Sequence, residues 1–396
     1  MEEWKIYRLG DLVDFQNGYA FKPSKFLYDG KYKIIRIKEL KNGLVKFFED
    51  TVSISDEPNE ILSKILVNKG DVIFALTGDP VSKQNANSWV GRVSLYTHDI
   101  PAYLNQRTCK IIQCNNVVPQ YVYYYFRQYE NLYSLASKAT GSASQANIST
   151  KILEDTEILL PSLSVQKKMV AILASLDNKI ALNRRINDNL EQQAQALFKS
   201  WFVDFEPFKN GKFVESEMGM TPEGWKVGKF SELVEIKYGK DHKSLAPGHI
   251  PVYGSGGFMR FAEKSIYNKE SVLIPRKGSL NNILYVNHPF WTVDTMFYTI
   301  MKEDGLAKFV YLFIKPFDLL SMNSGSAVPS MTADILNNIK LVIPPKSVFI
   351  EFENLIKPLF IKQGQIKGEI DKISLLRDTM LPRLMSGELK INDLNC

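Results

Sequence analysis

The chain of 396 residues is 45% hydrophobic and 23% charged, ordinary globular composition and long enough for two or three domains with substantial cores. No apolar run reaches the length of a membrane span; Cys109, Cys114 and Cys396 form no metal-like cluster, and with no apolar leader after Met1 they point to a reducing cytoplasm without structural disulfides. Lys and Arg number 49 against 43 Asp and Glu, a net charge of +6 that makes an anionic partner such as nucleic acid a natural candidate.

From the first tryptophan onward the chain repeats itself. WKIYRLGDLVDFQNG, Trp4 to Gly18, recurs as WKVGKFSELVEIKYG, Trp225 to Gly239, 221 residues later. VNKGDVIFALTG (Val67 to Gly78) aligns with YNKESVLIPRKG (Tyr267 to Gly278) at 200 residues. PAYLNQRTCKII (Pro101 to Ile112) and YVYYYFR (Tyr121 to Arg127) align with PFWTVDTMFYTI (Pro289 to Ile300) and FVYLFIK (Phe309 to Lys315) at 188. ILEDTEILLP (Ile152 to Pro161) aligns with ILNNIKLVIP (Ile335 to Pro344) at 183. The chain therefore carries two copies of one domain. In each copy short β-rich runs alternate with one Tyr/Phe-rich helix, which reads as a small α+β domain. The spacing shrinks where the copies differ. Divergent loops on a shared framework suit two modules that bind similar but non-identical targets; loop drift after duplication is the alternative. Two-fold pseudo-symmetry in a basic protein points to duplex DNA.

Each copy is followed by a long amphipathic stretch. Val165, Met169, Ile172, Leu176, Ile180, Ile186, Leu190, Leu197 and Trp201 recur at three- and four-residue steps, without Gly or Pro until Pro207. That predicts one helix of roughly 38 residues, about 57 Å long, which needs a partner. Phe352, Leu355, Leu359, Ile366, Ile370, Ile373 and Met380 supply it between Val348 and Met380, suggesting an antiparallel coiled coil. Run antiparallel, such a pair would act as a ruler between the two domains. Arg184 and Arg185 lie mid-helix, where coil surface, a partner subunit and DNA phosphate are all open to them.

ALFKSWFVDFEPF (Ala196 to Phe208), TMLPRLMSGEL (Thr379 to Leu389), PVYGSGG (Pro251 to Gly257) and the domain–helix–domain–helix plan resemble, over essentially the whole chain, the specificity subunit of type I restriction-modification systems. The resemblance implies an α+β fold with two pseudo-repeated α/β target-recognition domains separated by two long antiparallel helices forming a coiled coil. The expected boundaries are 1–162 for the first recognition domain, 163–210 for the central spacer helix, 211–345 for the second domain with a linker at 211–224, and 346–396 for the C-terminal helix and tail. It further implies that each domain reads half of an asymmetric bipartite site in double-stranded DNA. The chain would scaffold two methyltransferase subunits and, in the full complex, two restriction subunits. It would carry no catalytic centre or cofactor, S-adenosylmethionine, ATP and Mg being bound by the partners.

Enzyme readings compete with this one. Val252-Tyr-Gly-Ser-Gly-Gly257 imitates an S-adenosylmethionine loop, but no acidic residue ends a following strand, and Ile343-Pro-Pro-Lys346 lacks the amide and the aromatic of an amino-methyltransferase loop. Asp29, Glu39 and Lys41 have the chemistry of a nuclease core, two Mg ligands and a lysine to orient water, yet the second copy has no counterpart and solvated surface charge is the plainer reading. His98, His242, His249 and His288 are scattered, so no metal site is expected, and no nucleophile elbow is present. A self-contained modification or cleavage enzyme and a coiled-coil adaptor remain the alternatives to a specificity subunit.

Candidate DNA-reading residues gather where the copies diverge. In the first copy Thr77, Lys83, Gln84, Asn85, Asn87, Ser88 and Arg92 offer amides suited to adenine and cations suited to guanine. In the second, Lys240, His242 and Lys243 precede Arg276, Lys277, Asn281 and Asn282; Arg276 and Lys277 equally suit phosphate. GSASQANIST (Gly141 to Thr150), with Ser142 and Gln145, and GSAVPSMT (Gly325 to Thr332), with Ser326, either touch phosphates or cap a helix start. The aromatic run Tyr121 to Tyr133 repeats at helical spacing in Phe309 to Leu320, as a core face does.

Overall fold

The computed structural model describes residues 4–322 and 329–390. Ser326 lies outside the described residues. The chain divides into two compact units, Met1–Ala181 with Ile370–Cys396, and Leu182–Glu369. No helix among the described residues is long and apolar enough to cross a membrane.

The first unit is built on an antiparallel trio in the order Val13–Asn17, Thr108–Cys114, Val72–Ala75, continued by Val93–Leu95 and the short strands Leu44–Val45 and Leu40–Lys41. Val72–Ala75 is apolar at every position because it is central and buried on both faces. A second sheet orders Ser53–Ile54, Tyr32–Ile35, Ala102–Leu104 and Leu66–Val67. The helix Pro119–Arg127 starts on proline, where a missing N–H costs nothing, and buries Tyr121, Val122, Tyr123, Tyr124 and Phe126. The first part of the aromatic run is thus core, as its spacing indicates, while Tyr129 and Tyr133 at its end are exposed and stack on each other beside Trp89.

The second unit repeats this plan. Its trio is Val234–Tyr238, Met296–Met301, Ser271–Pro275, continued by Leu284–Val286; its second sheet is Gly257–Ala262, Ile250–Gly254, Trp291–Thr292; its helix is Ala307–Ile314. The outer pairs match as well: Lys5 faces Leu160 as Lys226 faces Ile343.

The long helices span Leu163–Phe202 and Lys346–Met385, 40 residues each. In the first unit Val165, Met169 and Leu173 share a core with Leu381, Leu384 and Met385, and Arg377 Nη1 reaches Asp177 Oδ1 at 2.8 Å. In the second, Ala194, Phe198 and Phe202 pack with Phe352, Ile356 and Phe360, and Gln363 Nε2 reaches Glu191 Oε2 at 3.2 Å. Within each unit rising numbers on one helix meet falling numbers on the other, so the two run antiparallel.

Both sequence signatures terminate these helices. Phe205 takes a left-handed conformation, and Phe202, Phe205 and Phe208 close on Trp225 with ring centroids 5.9, 5.4 and 4.9 Å away. After the second helix, Gly387 turns at a φ of 75° against Trp4, where a Cβ would meet the indole at 2.9 Å.

The buried charges do not repeat. In the first unit Tyr124 donates to Asp177 Oδ2 at 2.9 Å, completing a Tyr–Asp–Arg set with Arg377. In the second unit, Leu312 and Phe360 stand at the places of Tyr124 and Asp177 by the repeat spacing. There Lys308, 4% exposed, bonds Glu353 Oε1 at 2.7 Å and Glu270 Oε1 at 3.2 Å, and Tyr285 donates to Glu270 at 2.6 Å. The places of Lys308 and Glu353 in the first unit hold the uncharged Gln120 and Val170.

Candidate nucleic-acid interface

In each unit the two main divergent segments leave the trio at one end, after Asn17 and Ala75 in the first and after Tyr238 and Pro275 in the second. The second segment returns at that same end, before Thr108 or Met296, whereas the first rejoins at Val72 or Ser271, at the other end. The opposite end, at Cys114, leads toward the buried helix Pro119–Arg127. The divergent segments thus share their point of departure from the framework. At the seam sit Gly18 and Gly239. Gly18 N donates to Thr108 O at 2.9 Å and Gly239 N to Met296 O at 3.0 Å, and a Cβ on either would run into the carbonyl of Asn105 or Val293. Only glycine permits that approach.

The second divergent loop of the first unit is pinned from within. Arg92 does not project outward: its guanidinium donates to the carbonyls of Ile37 at 2.6 Å, Ser88 at 3.0 Å, Trp89 at 3.0 Å and Leu40 at 3.3 Å. Four carbonyls and no carboxylate in contact are a structural use of the charge, and burial depresses its pKa. Thr77 is also inward, 2% exposed, donating to Asn147 Oδ1 at 2.8 Å. Asn85 caps the turn Ala86–Ser88 through Asn87 N, and Trp89 Nε1 donates to the Lys83 carbonyl at 2.5 Å. On this scaffold Lys83, Gln84, Asn85 and Asn87 are exposed. Lys83 pairs with Asp79 at 2.8 Å and holds that carboxyl below its usual range.

The fold also brings together stretches far apart in sequence. Ala146–Asn147 pairs with Thr77–Gly78, so Ser142 and Gln145 stand exposed beside the Lys83 loop. Ser142 Oγ accepts from Gln145 N at 3.2 Å and meets Ser144 Oγ at 2.9 Å. The second unit repeats the pairing, Lys277 bridging Ser330 and Met331 N donating to Arg276 O at 2.8 Å. Helix capping falls to the last residues of these stretches, Ser149 and Thr332.

In the second unit Lys240, Lys243, Lys277 and Asn281 are exposed. Arg276 lies over the Tyr238 ring at 5.3 Å and donates to Asp294 O at 3.1 Å. Asn282 Nδ2 donates to Ser255 O at 2.9 Å, and Asn281 Nδ2 to Asp318 Oδ1 at 3.1 Å, so both amides tie loops together. Between the loops opens a cavity of about 700 Å³ lined by Asp241, His242, Lys243, Ser255, Phe258, Met259, Asp294 and Thr295 among others. Sequence reasoning missed Ser255, Phe258, Met259, Asp294 and Thr295, and the adjacent apolar pair Phe258-Met259 carries no periodic signal of exposure. That turn closes a β-hairpin, Ile250–Gly254 with Gly257–Ala262, and no cofactor-type βαβ unit.

Of the nuclease trio, Glu39 is fully buried and accepts from Arg36 N and Arg36 Nη2 at 3.0 Å each and from Thr51 Oγ1 at 3.2 Å, while Asp29 is exposed. Among the described residues no group of three or more His, Cys, Asp or Glu is placed to hold a metal ion.

The family described as type I restriction modification DNA specificity domain matches residues 1–192 and 222–354. The specificity subunit of the type I restriction enzyme MjaIX of Methanocaldococcus jannaschii is 26% identical over 99% of this chain and 95% of its own. That of HindI of Haemophilus influenzae is 22% identical over 98% of this chain and the whole of its own length, 100%. The crystal structure of a type I restriction-modification system S subunit from M. genitalium shares the fold at a TM-score of 0.59 and 20% identity, covering 97% of this chain and 96% of that one.

Proposed function

This chain belongs to the type I restriction modification DNA specificity family, and we propose that as its specificity subunit it reads a bipartite asymmetric site in duplex DNA, one half-site per unit. The observation that supports this reading is that, among the described residues, the two main divergent segments of each unit leave a framework present twice at the same end. A basic face carrying Lys83, Gln84, Asn85 and Asn87 in one unit, and Lys240, Lys243, Arg276 and Lys277 in the other, suits base edges and phosphates. Arg92, Thr77 and Asn282 shape that face instead of touching bases.

The chain recruits methyltransferase subunits and, in the full complex, restriction subunits, two of each; these bind S-adenosylmethionine, ATP and Mg, and this chain supplies no catalytic group. The test is an exchange. Replacing Gly18–Pro101 by the matching loops of a relative with another specificity, in a complex with its methyltransferase, should alter one half-site and leave the other. Change in both half-sites together overturns the assignment. Methyl transfer by the repurified chain alone overturns its non-catalytic role.

A further inference from the structure

The cavity of the second unit has one wall that a polar DNA-reading loop does not require. Phe258 and Met259, 54% and 50% exposed, stand on the edge strand Gly257–Ala262 immediately after the turn, and Phe258 packs against Phe261 with centroids 4.9 Å apart. Large apolar side chains held in the open at the rim of a basic face are costly unless something covers them. The hairpin is firmly placed: Ser255 N donates to Thr295 Oγ1 at 3.4 Å and Ser255 O accepts from Asn282. Beside this wall, Arg260 Nε donates to His242 Nδ1 at 3.0 Å. A guanidinium can only donate, so Nδ1 is the acceptor and the ring proton sits on Nε2, leaving His242 a hydrogen-bond donor to whatever enters.

An apolar wall next to a fixed donor is complementary to one feature of the major groove, the edge of thymine, which carries a 5-methyl group beside the O4 acceptor. We propose that Phe258 and Met259 take the 5-methyl group of a thymine in the half-site read by the second unit, with His242 donating to the acceptor edge of the same base pair. The inference rests on the DNA-specificity reading. The first unit has no such wall: by strand pairing the place of this turn falls on Arg36–Glu39, an ion-paired segment.

The experiment uses the full chain in complex with its methyltransferase and its mapped site. Each thymine of the site is replaced singly by deoxyuridine, which lacks only the methyl group. One replacement should slow methylation about fourfold, the effect of losing one buried methyl. The Phe258→Ala/Met259→Ala variant should methylate the thymine and uracil duplexes alike, and Met259→Leu should keep the wild-type preference. Met259→Ala alone, at an exposed position, gives the same comparison should the double variant melt early. A wild-type complex indifferent to every replacement, or a preference that survives both alanine variants, overturns the proposal. Loss of the methyltransferase from the double variant also overturns it, because the wall would then be a protein contact. A complex with no sequence preference at all would instead count against the specificity reading beneath it.

Discussion

Two inward-turned cations, one in each unit, do different work. In the first unit Arg92 sits under the divergent loop and binds four carbonyls; in the second, Lys308 sits between the framework helix and the long helix Lys346–Met385 and binds two carboxylates. The backbone path survived duplication while the charges moved. Arg92 therefore stiffens a divergent loop of the first unit, and Lys308 the junction of the second with its helices, a task that the Tyr124–Asp177–Arg377 set performs in the first.

The largest effect is expected of Lys308→Met. It strands Glu353, whose Oε2 already has no partner, next to Glu270, and should destabilise the second unit by about 3 kcal/mol. Hydrogen exchange should rise in Ala307–Ile314 and leave Pro119–Arg127 protected; equal loss in both would erase the contrast. Arg92→Ala should cost about 2 kcal/mol through carbonyls left unpaired, seen as faster exchange between residues 76 and 92, together with relaxed sequence preference in one half-site only. If Arg92 contacted a base directly, the variant would lose specificity with loop protection intact. Tyr124→Phe removes one bond to Asp177 and should lower stability by about 1 kcal/mol in urea unfolding.

A smaller effect depends on pH. Burial raises the Glu353 carboxyl above its ordinary 4.5, with the Lys308 bond opposing. Between the ordinary and the raised value the folded chain binds more protons than the unfolded one. This group's contribution therefore declines as pH rises through that window and recovers as pH falls. Glu353→Gln should remove that slope from the stability difference between variant and wild type. Least of all, Lys83→Ala should leave stability unchanged, since its pair with Asp79 is exposed. It should relax preference at one base position; uniform weakening across sequences with a shallower salt slope would assign Lys83 to phosphate.

The repeat made the framework legible. Trp4 and Trp225, the strands ending at Gly18 and Gly239, and the paired helices all stand where periodicity and spacing put them, because burial imposes a pattern on local sequence. The candidate interface was legible only as a set of loops. Whether a polar side chain points outward depends on acceptors far along the chain: Arg92 is drawn inward by the carbonyls of Ile37 and Leu40, more than fifty residues away, and Thr77 by Asn147. Phe258 and Met259 were invisible for the opposite reason, since apolar residues in a strand are expected to be buried and these are not.

Gly18 and Gly239 set a rule for variation. Each lets one strand pass against the carbonyl of Asn105 or Val293, so any side chain there must displace backbone instead of a flexible group. A library that randomises the loops beyond these two joints, holding both glycines, should yield mostly folded members with new sequence preferences. One that also randomises the joints should lose most of its members before binding is ever tested.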